Sequence, residues 1–144
     1  MDYGKIDQKF PIDFKHHIKL NDEIIRLEKV INDSKYVIVR GNPGSGKSWL
    51  IDEFICKLMD DGRKVIRYNC FQSLQDANNI DRIRTSSLYG NLVSQIVDQY
   101  PELSNQKITR FGADKEEFEN LLSKIKENFY IVVDGLDHIS REYE

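Results

Sequence analysis

Residues 41–48 read Gly41-Asn42-Pro43-Gly44-Ser45-Gly46-Lys47-Ser48. Every specified position of the phosphate-binding pattern G-x-x-x-x-G-K-[ST] is filled. With glycine at about 7% of ordinary chains, such a match arises by chance in well under about one short chain in a hundred. The spacing follows from the chemistry. Gly41 permits a sharp exit from a strand. Gly44 and Gly46 allow backbone conformations and a close approach that a side chain would block. Amides then converge on phosphate at the start of a helix, where the dipole favours negative charge. Lys47 reaches the terminal phosphates as a point charge, the Ser48 hydroxyl is a candidate Mg²⁺ ligand, and Trp49 follows directly.

A second cluster, Asp134-Gly135-Leu136-Asp137-His138, follows the apolar run Phe129–Val133. Phosphoryl transfer needs an acid at the tip of a strand to orient the metal. Asp134 fits that role, directly or through a coordinated water, because Mg²⁺ keeps several waters. Asp137 is placed to polarise an attacking water, and His138 offers the same chemistry or a contact with a neighbouring subunit. The plainer alternative for all three is a capped strand end and a solvated turn. The remaining chemistry-bearing residues read as structural. His16 and His17 are adjacent, so they point to different faces. Cys56 falls on an apolar helix face and reads as a core thiol, whereas Cys70 ends a strand and reads as partly exposed. Arg82 and Arg84 read as solvated loop residues, and Tyr68, Phe71 and Tyr89 as packing.

The elements that must position these clusters follow from periodicity. Leu20, Ile24, Leu27 and Ile31 predict a helix, Tyr36–Val39 a short buried strand running into the glycine-rich loop, and Leu50 to Met59 a second helix stopped by Gly62. Lys64–Cys70 predicts a strand, and the polar stretch 71–87 a loop with little structure of its own. Ser87–Gln99 predicts a third helix, ended by Tyr100-Pro101. A fourth starts at Asp114 with Glu117 as a capping-box-like pair. Phe129–Val133 is a continuous apolar run, which suits a strand buried on both faces of a parallel sheet. Alternation of this kind predicts an α/β sheet with crossover helices.

The 144 residues allow about one domain. Apolar residues at 40% suffice for a core, and a net charge of −3 is not the footprint of a general nucleic-acid binder. No apolar run reaches the roughly 18 residues of a membrane span, and no signal peptide is visible. The expectation is a soluble, reduced, cytoplasmic protein without membrane or direct nucleic-acid contact.

The two clusters together resemble a known group. Residues 41–48 are a Walker A motif, and Tyr130-Ile131-Val132-Val133-Asp134-Gly135-Leu136-Asp137-His138 resembles the Walker B motif of STAND NTPases, including their NACHT subgroup. His138 stands where that subgroup has Glu, which makes Asp137 the candidate water-activating group. The form with His is similar to prokaryotic STAND proteins, among them antiviral defence proteins. The resemblance covers about residues 20–142. It implies a three-layer αβα P-loop NTPase with a parallel sheet, binding ATP or ADP with Mg²⁺. It also implies a switch that exchanges ADP for ATP, self-associates and activates further domains of a longer protein. A later strand of that fold lies between the Walker A and Walker B strands. The expectation is therefore a lead-in segment at 1–19 and a partial NTPase domain at 20–144, truncated after the Walker B strand, with weak ATP binding and little turnover on its own. Two other readings compete: a P-loop kinase of a small molecule, with its acceptor site in residues 71–113, and a non-catalytic nucleotide-binding or docking fragment. The guanine signature Asn-Lys-x-Asp is absent, which favours adenine, and the base pocket is expected around Phe10 to Leu20.

Overall fold

A computed structural model describes residues 20–42, 45–71, 75–105 and 115–142. These divide into two compact units at the Gly62–Arg63 boundary, and each is described by itself.

In the first unit, helix α1 (Asn21–Asp33) buries Ile24 and Leu27, and helix α2 (Lys47–Asp60) buries Phe54, Ile55 and Leu58. The i, i+3/i+4 spacing of these residues puts them on one stripe of each helix. Polar bonds tie the pair: Lys57 Nζ meets Glu28 Oε2 at 2.6 Å, and the Leu20 amide donates to Glu53 Oε2 at 3.3 Å. Two expectations fail here. Residues 36–40 form no strand; Tyr36 is 90% and Ile38 76% exposed. Tyr36 and the β-branched Val37, Ile38 and Val39 favour an extended backbone, but a strand is held by its ladder, and no described segment pairs with them. Cys56 is exposed rather than a core thiol.

The second unit is built on a parallel pair, strand β1 (Lys64–Asn69) and strand β2 (Phe129–Asp134), in register from Lys64↔Phe129 to Asn69↔Asp134. Between them the chain forms helices α3 (Asn79–Arg82) and α4 (Thr85–Gln99), a 3-10 turn at Pro101–Asn105, and helix α5 (Lys115–Lys124); helix α6 (Asp137–Glu142) follows β2. The core gathers Ile66, Tyr68 and Cys70 from the β1 side, Leu92, Val93, Ile96, Val97 and Tyr100 from α4 and its end, and Leu121 from α5. Tyr89 and Phe118 add a tilted ring contact at 5.6 Å, consistent with packing roles for Tyr68 and Tyr89. The mixed α/β class thus stands, with a two-stranded parallel sheet among the described residues.

Here too the sequence misleads in places. Residues 71–87 are not structureless: α3 and the first turn of α4 lie within them. No residue of β2 is fully buried, and Ile131 is 41% exposed, so the expected burial on both faces is not met among the described residues. Cys70 is buried at 4% exposure, not partly exposed. His16, His17, Asp114 and most of the Phe10–Leu20 stretch lie outside the described residues.

Candidate functional site

The glycine-rich loop ends at the first turn of α2. Gly46 is its N-cap, with φ +84°, a left-handed conformation that side chains disfavour. The Gly46 carbonyl accepts the first helical bond, from Leu50 N–H at 3.0 Å, and Ser45 N–H donates to the Asn42 carbonyl at 3.1 Å. The Lys47 ammonium folds back over its own loop, donating to the carbonyls of Gly41 and Asn42. Gly41, Asn42 and Ser45 are exposed, and Gly46, Lys47, Ser48 and Trp49 half-buried. Among the described residues no side chain caps α2, and no acid sits in its first turn, so these residues do not offset the electropositive end of the helix. Pro43 and Gly44 lie outside the described residues.

The acidic cluster sits at the carboxyl end of β2, in the second unit. The Asp134 carbonyl extends the ladder one step by accepting from Cys70 N–H at 2.8 Å. Its side chain folds onto the turn: Oδ1 accepts from Gly135 N–H at 2.8 Å. Gly135 has φ +79°, and a Cβ there would lie 3.1 Å from the Phe71 amide nitrogen. The two backbone segments therefore approach as closely as they do because residue 135 lacks a side chain. That approach brings Phe71 beside α6, where its ring stacks on His138 with centroids 4.0 Å apart and planes 10° from parallel. His138 is half-buried, while Asp137, in the first turn of α6, is exposed. Burial raises the Cys70 thiol to about 11; Asp134 and Asp137 push in the same direction and Arg82 opposes them. The thiol stays protonated at neutral pH and is a poor nucleophile.

A model of the family described as Nephrocystin 3, N-terminal, matches residues 20–144. The chain belongs to that family. No curated protein and no solved structure matches it. The nephrocystin 3 N-terminal match contains both the loop at 41–48 and the cluster at 134–138.

The least legible feature of this nephrocystin 3 N-terminal chain is Arg82. It is only 1% exposed, not a solvated loop residue. Its Nε donates to Asp76 Oδ2 at 2.5 Å and its Nη1 to the Asn69 carbonyl at 3.3 Å, while its own carbonyl accepts from Tyr68 Oη at 2.8 Å. Arg84 does behave as a surface residue, 52% exposed and 3.5 Å from Asp81. The one available hint was the spacing Asp76-x₅-Arg82, which carries no periodic signature. Among the described residues no three His, Cys, Asp or Glu cluster as a metal cage, and no helix is long and apolar enough to cross a membrane.

Proposed function

We propose that this chain is the nucleotide-binding core of a STAND-type signalling switch, taking ATP or ADP with Mg²⁺ within a three-layer P-loop fold. One observation carries the reading: a complete phosphate-loop sequence opens directly into α2, with Gly46 left-handed at its cap and Lys47 lying over the loop. The loop amides and the α2 N-terminus bind the phosphates. Lys47 exchanges carbonyl partners for phosphate oxygens, which as charged acceptors make the stronger bonds. Ser48 and Asp134 offer the hard oxygen donors that Mg²⁺ prefers, and the ion, when bound, neutralises charge developing on the phosphates. Asp137 is the candidate to orient an attacking water. Self-association, further domains of a longer protein and a setting in bacterial antiviral defence come with the STAND resemblance and are part of the proposal.

Trp49 follows Ser48 and is the only tryptophan, so its fluorescence reports on the loop. Titration with Mg–ATP, Mg–ADP and Mg–GTP, cross-checked by calorimetry, should give saturable binding that prefers adenine. Lys47→Ala should weaken it by about tenfold or more, the scale of a charge-assisted hydrogen bond. A folded chain that binds none of the three, or that binds equally well as Lys47→Ala, would sink the reading.

A further inference from the structure

Strand β1 has two edges. On one, Cys70 N–H and the ladder register face β2. On the other, backbone groups of alternate residues point away from it. A sheet edge of this kind normally presents open carbonyls and amides to any passing strand. Here all three outward carbonyls meet side-chain donors. Gln99 Nε2 donates to the Val65 carbonyl at 2.7 Å, Gln95 Nε2 to the Arg67 carbonyl at 2.7 Å, and Arg82 Nη1 to the Asn69 carbonyl at 3.3 Å. Gln95 also accepts from the Arg67 amide, at 3.0 Å through Oε1. Its primary amide thus makes the same donor–acceptor pair with Arg67 that a neighbouring strand would make.

The match has a metric origin. Two residues along a strand advance about 6.6 Å, and four residues along an α-helix about 6.0 Å. Side chains at i and i+4 of a helix laid antiparallel to a strand therefore meet every second strand residue. Gln95 and Gln99 are such a pair and meet Arg67 and Val65. The next position in the series, Asn91, is 2% exposed and accepts from Gln95 Nε2 at 2.5 Å, which holds the glutamine amide in its plane. Arg82 takes the remaining carbonyl, that of Asn69.

We propose that Gln95, Gln99 and Arg82 form a side-chain surrogate strand. It makes β1 the terminal strand of the sheet and bars a second copy of the chain from pairing through this edge. The inference is independent of nucleotide binding. Neither a helix merely packed on the sheet nor a polar helix face requires amide groups at this register.

Hydrogen exchange on the full chain tests it, using the near-isosteric Gln95→Met and Gln95→Met/Gln99→Met. In the wild type the Arg67 amide should be protected, independently of protein concentration. In Gln95→Met it should exchange faster by about tenfold, the equivalent of one net hydrogen bond, while Ile66 and Tyr68 stay protected. In the double variant, Arg67 protection should return as concentration rises, together with larger species in light scattering, as second copies fill the opened edge. If the double variant does not fold, the single variant still decides whether Gln95 protects Arg67. The proposal is overturned if wild-type Arg67 exchanges like an exposed amide, if Gln95→Met leaves it protected, or if the folded double variant stays monomeric and open at every concentration.

Discussion

At the scale of single residues, the buried Arg82 dominates. A charge at 1% exposure is tolerated only when paired and hydrogen-bonded. Removing its counter-ion is therefore worse than removing the pair. Asp76→Ala should destabilise the chain by about 3–5 kcal/mol, and Asp76→Ala with Arg82→Met by clearly less. Urea unfolding of the two variants would decide it; equal losses would mean that the pairing is incidental. The same pair carries a pH dependence. Burial alone would raise the Asp76 carboxyl, but the Arg82 hydrogen bond, helped by Asn78, outweighs it and holds the group below the ordinary carboxylate range. The folded value lies under the unfolded one. The pair's stabilisation is therefore fully present above about pH 3.9 and is lost as pH falls through the folded value. Denaturation curves of wild type and Asp76→Asn should accordingly converge at strongly acidic pH. None of this was legible in the sequence. Residues 71–87 are mostly polar, and composition alone cannot separate a solvated arginine from one whose partners, Asp76 and Asn69, lie at unrelated spacings.

At the scale of elements, local pattern served best where the element satisfies its own backbone. Helices α1, α2, α4 and α5 fall close to where 3.6-residue periodicity puts them, because their hydrogen bonds are internal. Strands draw theirs from elsewhere, and there the pattern is less informative. Residues 36–39 and 129–133 look alike as apolar runs, yet among the described residues only the second has a strand partner, β1. The candidate site shows the same division. The glycine-rich loop was legible as a motif, and so was the acid at the end of β2. The Phe71–His138 stack was not, because it depends on a backbone approach set by Gly135. Gly135→Ala tests that approach. It forces a side chain into a left-handed conformation and sets its Cβ against the Phe71 backbone, which cannot give way like a flexible side chain. The expected loss is about 1–3 kcal/mol, with the His138 ring resonances moving in NMR spectra as the stack opens. A loss under about 0.5 kcal/mol would mean that the turn relaxes freely.

At the scale of the whole molecule, the two units carry different halves of the proposed chemistry: the phosphate loop in one, the acidic strand end in the other. A ligand that binds only the folded chain stabilises it by mass action. Mg–ADP at about 100 times its dissociation constant should add about 2.7 kcal/mol. Thermal unfolding should therefore shift upward in the wild type, and by no more than about half as much in Lys47→Ala at the same ligand concentration. An equal shift in both would place the ligand away from the loop. The two cysteines offer a different handle. Cys56 is exposed on α2, whereas Cys70 lies under the core at the tip of β1, its thiol held protonated. A thiol-specific reagent should mark Cys56 on mixing and reach Cys70 only when the strand pair parts. The delay between the two labelling events then clocks how often the strand end bearing Asp134 breathes open.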